Sequence, residues 1–342
     1  MSYPLVSLVV PIYNGESYIR NLVRCTMNQT YDNWELILVD DNSTDKTLKI
    51  IKDFSCEKIK VFTSPGSGVS FARNEGIKRS SGEYFMFIDV DDSFVPEYIE
   101  KMIDAILKEN TEVVLCGYYE VYSKNKMENS LPWSGYYDND SILHEILPNI
   151  LYPIHREKKV WFPVWRTILS RESIEKINFD INVSTAEDFL FMLEVFLKSK
   201  SVFFLDENLY FYNRNAGSSL NSYISKNMDK QRHSHEAMLK LLKKYNVFET
   251  LRERYLLNRE SMYTTAISNA VRNKNKREID KELKKIYKEF KNDKLLKNKV
   301  RVFQNEFKVS CPLLLLQMGC LRLLKLIFIF KEFLRLRKFK DA

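Results

Sequence analysis

The sequence predicts an α/β fold: a mainly parallel mixed sheet flanked by helices, followed by a helical C-terminal region. Three observations point there. Short, β-branched apolar runs alternate with helical stretches over the first 116 residues, the pattern of a parallel sheet covered on both faces. Three of those runs end on polar clusters: Tyr13-Asn14, Asp40-Asp41 and Asp89-Val90-Asp91-Asp92. Ligands of such sheets sit at the carboxyl ends of the strands. From about residue 226 the composition changes to long helical stretches rich in Lys, Arg and Glu.

The elements follow in order. Residues 5–10 are apolar and stopped by Pro11, which reads as a buried strand. A helical stretch near 15–29 precedes a second strand over 34–39. Ser43 or Thr44 is placed to N-cap a helix running to 53. Residues 59–62 form a third strand, and 69–79 a helix after the turn Gly66-Ser67-Gly68. Residues 83–88 are the fourth strand, Pro96 opens a helix to about 109, and 112–116 are the fifth strand. The tract 118–165, with Trp133, Trp161 and Trp165, is either an acceptor-binding wall or plain core. An amphipathic helix over 186–199 leads to two short strands, 202–205 and 209–212.

Near the end, residues 313–330 are almost wholly apolar, broken by Gln317, Arg322 and Lys325 and followed by Lys331, Arg335, Arg337, Lys338 and Lys340. A membrane span wants roughly 20 apolar residues with few charges. The two internal cations favour a helix near 312–340 lying on an anionic membrane surface, with its cations reaching for headgroups. A core helix or oligomer contact is the first alternative, and a true membrane span the second.

Of the 342 residues, 45% are hydrophobic, and there are only 9 Gly and 9 Pro. That excludes a disordered or collagen-like chain. The net charge of +8 hides an asymmetry. Residues 1–225 carry 23 basic and 32 acidic side chains, a net of −9; residues 226–342 carry 30 and 13, a net of +17. The expected division is an α/β domain over 1–225, in two halves (1–115 and 116–225), and then a basic helical region over 226–342. A basic tail on an acidic body suits an anionic partner. Cys25, Cys56, Cys116, Cys311 and Cys320 are scattered and odd in number, with no zinc-type spacing. They fit reduced thiols in the cytoplasm. The first residues lack the basic n-region of a signal peptide.

Each polar cluster has a chemical and an ordinary reading. Carboxylates as close as Asp89, Asp91 and Asp92 repel unless a cation neutralises them; hard oxygens of this kind suit Mg²⁺ or Mn²⁺ shared with phosphates. Asp is also an ordinary turn residue. Asp40 could accept the imide N–H of a pyrimidine with Tyr13 beside the ring, or Asp40-Asp41 could simply cap a helix. Arg73 could lie near a phosphate or form a surface ion pair. Glu187-Asp188 opens a helix, where acids suit the macrodipole. The apolar surroundings would also keep a carboxylate basic enough to act on an alcohol. Tyr212-Asn213-Arg214 and Gly217-Ser218-Ser219 could clamp a diphosphate, or be an ordinary loop.

Taken in order, 9–14 (Val-Val-Pro-Ile-Tyr-Asn), 38–45 (Leu-Val-Asp-Asp-Asn-Ser-Thr-Asp), 72–76 (Ala-Arg-Asn-Glu-Gly) and 81–92, ending Asp89-Val90-Asp91-Asp92, resemble the bacterial family 2 glycosyltransferases. Glu187-Asp188 and the 212–214 loop extend the resemblance to about 220. It implies a GT-A fold, a Rossmann-like mainly parallel mixed sheet. It implies donor contacts from Pro11, Tyr13, Asn14, Asp40, Arg73, Asp89 and Arg214, and a Mn²⁺ or Mg²⁺ site at Asp89, Asp91 and Asp92. Asp188 would be the general base, supported by Glu187. The implied reaction is inverting transfer from a nucleotide-sugar, of the UDP type, to a lipid-linked or oligosaccharide acceptor in envelope or capsular polysaccharide synthesis, on the inner face of the cell membrane. Asn42 departs from the family, which often has Gly there. Two other classes compete. A nucleotidyltransferase would want a Gly-rich phosphate loop, which residues 10–15 do not supply. A non-catalytic nucleotide-sugar-fold module would bind without turnover. Nucleic acid is not expected, because the tail's aromatic residues lack a base-stacking pattern.

Overall fold

The computed structural model describes residues 3–54, 56–122, 125–153, 162–214, 223–296 and 307–341, with the backbone alone for 307–311 and 335–341. Two compact units are present: residues 1–150 with 157–216, and 151–156 with 217–342.

The first unit holds a ten-stranded sheet. β1 (Val6–Ile12), β2 (Trp34–Asp40), β3 (Ile59–Thr63) and β4 (Tyr84–Phe87) lie side by side in the order β3-β2-β1-β4, all parallel. β1 and β2 are buried along almost their whole length, which explains their continuous apolar runs. Ser7, polar within β1, donates its hydroxyl to buried Glu35 of β2 (2.6 Å) and accepts the Gly82 N–H (2.9 Å).

Beyond β4 the strand order departs from simple alternation. β5 (Ser93–Phe94) is a short edge piece, and β6 (Val113–Val121) does not sit against β4. β9 (Thr167–Ser170) inserts between them, antiparallel to both. β10 (Ser201–Asn213) then runs parallel to β6 as one bulged strand where the sequence pattern suggests two. Two antiparallel turns mean that β6 and β10 point the same way as β4, so their carboxyl ends share its edge. β7 (Lys126–Asn129) and β8 (Gly135–Asp138) pair with β6 and β10.

Helices α1 (Ile19–Met27), α2 (Thr47–Lys52), α3 (Val69–Arg79) and α4 (Tyr98–Lys108) connect the parallel strands. α5 (Asn139–Ser141), a π-turn (Ile142–Ile146) and α6 (Leu147–Leu151) fill part of the tract that looks irregular in sequence. Trp133 and Trp165 are buried core residues there, packed among aromatic rings, and Trp161 lies outside the described residues. α7 (Arg171–Ile174) and α8 (Glu187–Lys198) complete the unit.

The second unit contains α9 (Asn227–Lys244), α10 (Phe248–Ala270), α11 (Lys276–Asn292), α12 (Phe307–Gln317) and α13 (Leu321–Asp341) around their own apolar core. The continuous helix expected near 312–340 is therefore two helices. Gly319 sits at φ +73, and the N–H groups of Gly319 and Cys320 bond back to the carbonyls of Leu316 (3.1 Å) and Leu315 (2.9 Å). That is a Schellman stop, which uses the left-handed region that only Gly enters cheaply. No helix among the described residues is long and apolar enough to cross a membrane. Cys25, Cys56, Cys116 and Cys320 are free thiols.

Candidate active site

The site begins with two loops that hold each other. The loop after β1 and the loop after β2 leave the sheet side by side, because Ile12 is in register with Asp40. Asn14, at φ +52, donates its N–H to Ser43 Oγ (3.0 Å) and accepts the Thr44 N–H at Oδ1 (2.8 Å). Gly15 N–H donates to Thr47 Oγ1 (2.8 Å). Ser43 and Thr44 are thereby spent on the β1 loop and do not cap α2. The N-cap is Lys46, and Asp45 just before it accepts the Thr47 N–H (2.9 Å). Asn42 occupies the left-handed region at φ +62, which Asn enters more readily than most residues with a Cβ.

Asp40 is fully buried. Its Oδ2 accepts the Ser43 N–H (3.2 Å), while Oδ1 has no partner among the described residues. Asp41 accepts the Gly68 N–H (2.8 Å) and so ties the end of β2 to the start of α3. Burial raises its carboxyl above the ordinary value. Pro11 is partly covered at the end of β1, and Tyr13 is 61% exposed beside this edge.

α3 lies tightly on the sheet. A Cβ on Gly76 would meet Val9 Cγ1 at 2.2 Å, so only Gly permits this approach. One turn earlier, Arg73 is 3% exposed and faces three carboxylates. It is 3.1 Å from Asp89 Oδ1 and 3.6 Å from Glu187 Oε1, and it donates from Nη1 to Asp188 Oδ1.

Asn74, the next residue, makes this meeting possible. Its amide donates to the Phe179 carbonyl (2.9 Å) and accepts the Phe179 N–H (2.8 Å), a two-way clip across 105 residues of chain. Phe179 stacks on Phe191 of α8 with centroids 4.0 Å apart, and the Arg73 guanidinium lies over the Phe179 ring at 5.3 Å. α8 is thus pinned with its first turn, Glu187 and Asp188, against Arg73. Ala186 enters that turn at φ +63, a strained conformation for a residue with a Cβ.

The electrostatics follow from this crowding. Burial pulls the Arg73 pKa down, but Asp188, Asp89 and Glu187 more than offset it and hold the guanidinium firmly charged. Burial pushes Asp188 up to about 6 against the pull of Arg73, with Glu187 adding to the rise. Asp89 is likewise raised, by burial first.

The structure divides the three acids after β4. Asp89 belongs to Arg73. Asp92 is buried and turned to β10, where it accepts the Tyr210 hydroxyl (2.9 Å) and the Asn213 N–H (2.8 Å). Burial, then the charge of Asp89, pushes its carboxyl well up. Asp91 is partly exposed, and its carbonyl accepts the Asn213 amide (2.7 Å). Among the described residues no three His, Cys, Asp or Glu side chains converge as a metal site. A divalent ion that shares its shell with substrate phosphates needs only one or two protein carboxylates. Asp91 with Asp89 fits that requirement; Asp92 is buried, and each of its oxygens already accepts one hydrogen bond.

Arg214 follows β10 at the same carboxyl edge. Its Nε and Nη2 donate to Glu120 Oε1 of β6 (3.0 and 2.6 Å), and its guanidinium lies 5.0 Å from the Tyr212 ring. Residues 217–219 lie outside the described residues. Glu120, Tyr210 and the structural use of Asn74 escape sequence reasoning. Only cross-strand pairing, which is invisible before the register is known, brings Glu120 to Arg214.

Residues 7–176 match the model of the family described as "Glycosyl transferase family 2". The chain is 32% identical over 219 residues to the uncharacterized glycosyltransferase EpsJ of Bacillus subtilis, covering 63% of this chain and 62% of EpsJ. It is 36% identical over 124 residues to WfgD of Escherichia coli, a UDP-Glc:α-D-GlcNAc-diphosphoundecaprenol β-1,3-glucosyltransferase, covering 36% of this chain and 49% of WfgD. The chain thus spans less than two thirds of either relative. In fold it is similar to Staphylococcus aureus TarS 1–349 solved with UDP-GlcNAc, with a TM-score of 0.67 at 19% identity, over 94% of this chain and 89% of that one. The family match, these relatives and the sheet-edge site agree, and the chain belongs to the bacterial family 2 glycosyltransferases of GT-A fold.

Proposed function

We propose that the chain transfers a sugar from a nucleoside-diphosphate donor, of the UDP type, to a saccharide acceptor with inversion at the anomeric carbon. One observation carries this reading. Asp188 and Asp89, nearly a hundred residues apart in the chain, share one buried arginine at the edge where the donor-side loops of β1 and β2 also end. The orphaned Oδ1 of Asp40 supports a uridine donor, since an imide N–H would complete it. TarS was solved with UDP-GlcNAc, and WfgD is named for a UDP-Glc donor and a diphosphoundecaprenol-linked acceptor. Both favour a UDP-sugar, and the second favours a lipid-linked acceptor.

In this reading Asp188 accepts the proton of the acceptor hydroxyl as its oxygen bonds to the anomeric carbon and the bond to the diphosphate oxygen breaks. A base poised near pH 6 is ionised at neutral pH and still matched to the task. Arg73 holds Asp188 in place, and Arg214 lies at the edge where the leaving diphosphate gains charge. Asp91 with Asp89 would hold Mg²⁺ or Mn²⁺, whose contribution is to neutralise charge on the diphosphate. The test is a panel of nucleotide-sugars, with and without Mn²⁺ and with oligosaccharide or lipid-linked acceptors, reading nucleoside diphosphate release and glycosylated product. Acceptor-dependent release from a UDP-sugar is expected. Binding of UDP-sugars without turnover under every condition would make the chain a binding module and end this reading.

A further inference from the structure

The second unit ends in a helix with two apolar faces. On one side of α13, Leu324 and Phe328 are buried and pack with Leu313 and Leu316 of α12 into the core of that unit. The charges on that side are answered within the unit. Lys325 Nζ lies 2.7 Å from Asp280 of α11, and Glu332 lies 3.2 Å from Arg272. At about 100° per residue, the opposite side carries Leu323, Leu326, Phe330 and Phe333, each exposed by half or more. Spacings of three, four and three residues make them one continuous stripe along the helix. Arg322 and Lys331, both exposed, border that stripe on its two sides.

A contiguous run of exposed large apolar side chains marks an interaction surface. Its borders decide what it meets. No described helix can cross a bilayer, so α13 does not answer its apolar stripe by spanning one. A second copy would bring the same cations to the same place, and residues 226–342 carry 30 basic against 13 acidic side chains. An anionic lipid surface satisfies both features. The stripe enters the boundary of headgroups and acyl chains, while flanking Arg and Lys reach phosphates.

We propose that the outward stripe of α13, Leu323, Leu326, Phe330 and Phe333 bordered by Arg322 and Lys331, docks this chain in the plane of an anionic lipid surface. The inference stands on the second unit alone and does not depend on the sugar-transfer chemistry.

The experiment is co-sedimentation of the full chain with phosphatidylcholine vesicles, with and without phosphatidylglycerol, over a range of salt. Binding is expected on the anionic vesicles, weak on the neutral ones, and weakened by salt. The double substitution Leu326→Glu/Phe330→Glu should reduce it by about tenfold or more, the cost of keeping even one such side chain in water. Arg322→Glu/Lys331→Glu should abolish the preference for the anionic lipid. All four side chains point to solvent, so thermal unfolding of these variants should match the parent and exclude loss of fold. Failure of the parent to sediment with anionic vesicles at low salt would overturn the proposal. So would unchanged binding by the Leu326→Glu/Phe330→Glu variant. A concentration-dependent dimer that this variant dissolves would assign the stripe to a second copy instead. Nucleotide release with a soluble acceptor is a separate readout, so the failure of either inference is visible without the other.

Discussion

Two arginines stand at the carboxyl edge of the same sheet and are treated in opposite ways. Arg73 is 3% exposed and faces three carboxylates, Asp188, Asp89 and Glu187. The Arg214 side chain is 26% exposed and faces one, Glu120. The first cluster therefore holds more negative charge than its cation neutralises, and burial, with the neighbouring acids adding to it, raises its carboxyls, Asp188 up to about 6. The second pair is balanced. A surplus of buried acid is a place where a proton or a second cation is welcome. A balanced pair fixes a guanidinium without changing the local charge.

Removing the cation from the surplus cluster has the largest expected effect. Arg73→Met leaves three acids without their shared partner in a largely buried setting. Breaking a buried pair from one side costs about 3–5 kcal/mol. Urea or thermal unfolding should show that loss, and transfer activity should vanish with it. A variant as stable as the parent would mean that the acids simply take up protons and that Arg73 is not what gathers them.

Asp188→Asn separates chemistry from architecture in the same cluster. It keeps the shape and removes the base, so kcat should fall about 10²–10⁴-fold while the unfolding temperature changes little. The pH profile gives the sign. The base works deprotonated, so kcat/KM of the parent should rise as pH climbs through about 6 and level off above it. The residual activity of the variant should lack that limb. An unchanged acid limb in the variant would transfer the titration to another group, with Asp89 the first candidate.

A smaller effect is expected at the wall between the two regions. Tyr210→Phe removes the hydroxyl that donates to Asp92 and accepts the Asp89 N–H (3.3 Å). A buried acceptor that loses one of two partners costs about 1–3 kcal/mol. The loss should appear in unfolding. Donor KM should rise if the turn 89–92 shifts with it. No change in either measurement would show that Asp92 is held by Asn213 alone.

The contrast also explains what could be read before folding. The strand–helix alternation was legible because the inner parallel strands β1 and β2 are buried on both faces and write dense apolar runs. α3 over 69–79 agrees with its sequence limits because a Gly-rich turn opens it. The insertion of β9 between β4 and β6 was not legible, since no local pattern records which strands become neighbours. The acids at strand ends could be named one by one. Their division could not: Asp89 goes to Arg73 and Asp92 to Tyr210 through pairings 16 and 118 residues long. The break at Gly319 left a trace in the sequence, a lone Gly in an apolar run, and the hydrophobic pattern outweighed it.

The finest test lies in the balanced pair. Glu120 Oε1 takes two of the guanidinium's N–H groups, from Nε and Nη2, and the hydroxyl of Tyr122 donates to its other oxygen (2.9 Å). Glu120 engages Nε and Nη2 but not Nη1, so under the proposed reading Glu120 would orient the arginine as a fixed donor to a phosphate rather than compete for it. Glu120→Ala should then raise the donor KM about fivefold and leave kcat nearly unchanged, in keeping with about 1 kcal/mol for a partly exposed pair. Glu120→Gln keeps one acceptor and should recover most of the loss. The opposite result, tighter donor binding in Glu120→Ala, would show that the carboxylate holds Arg214 back from the diphosphate. The two arginines would then differ in kind: one a fixed organiser of acids, the other a cation that must change partners before the donor is seated.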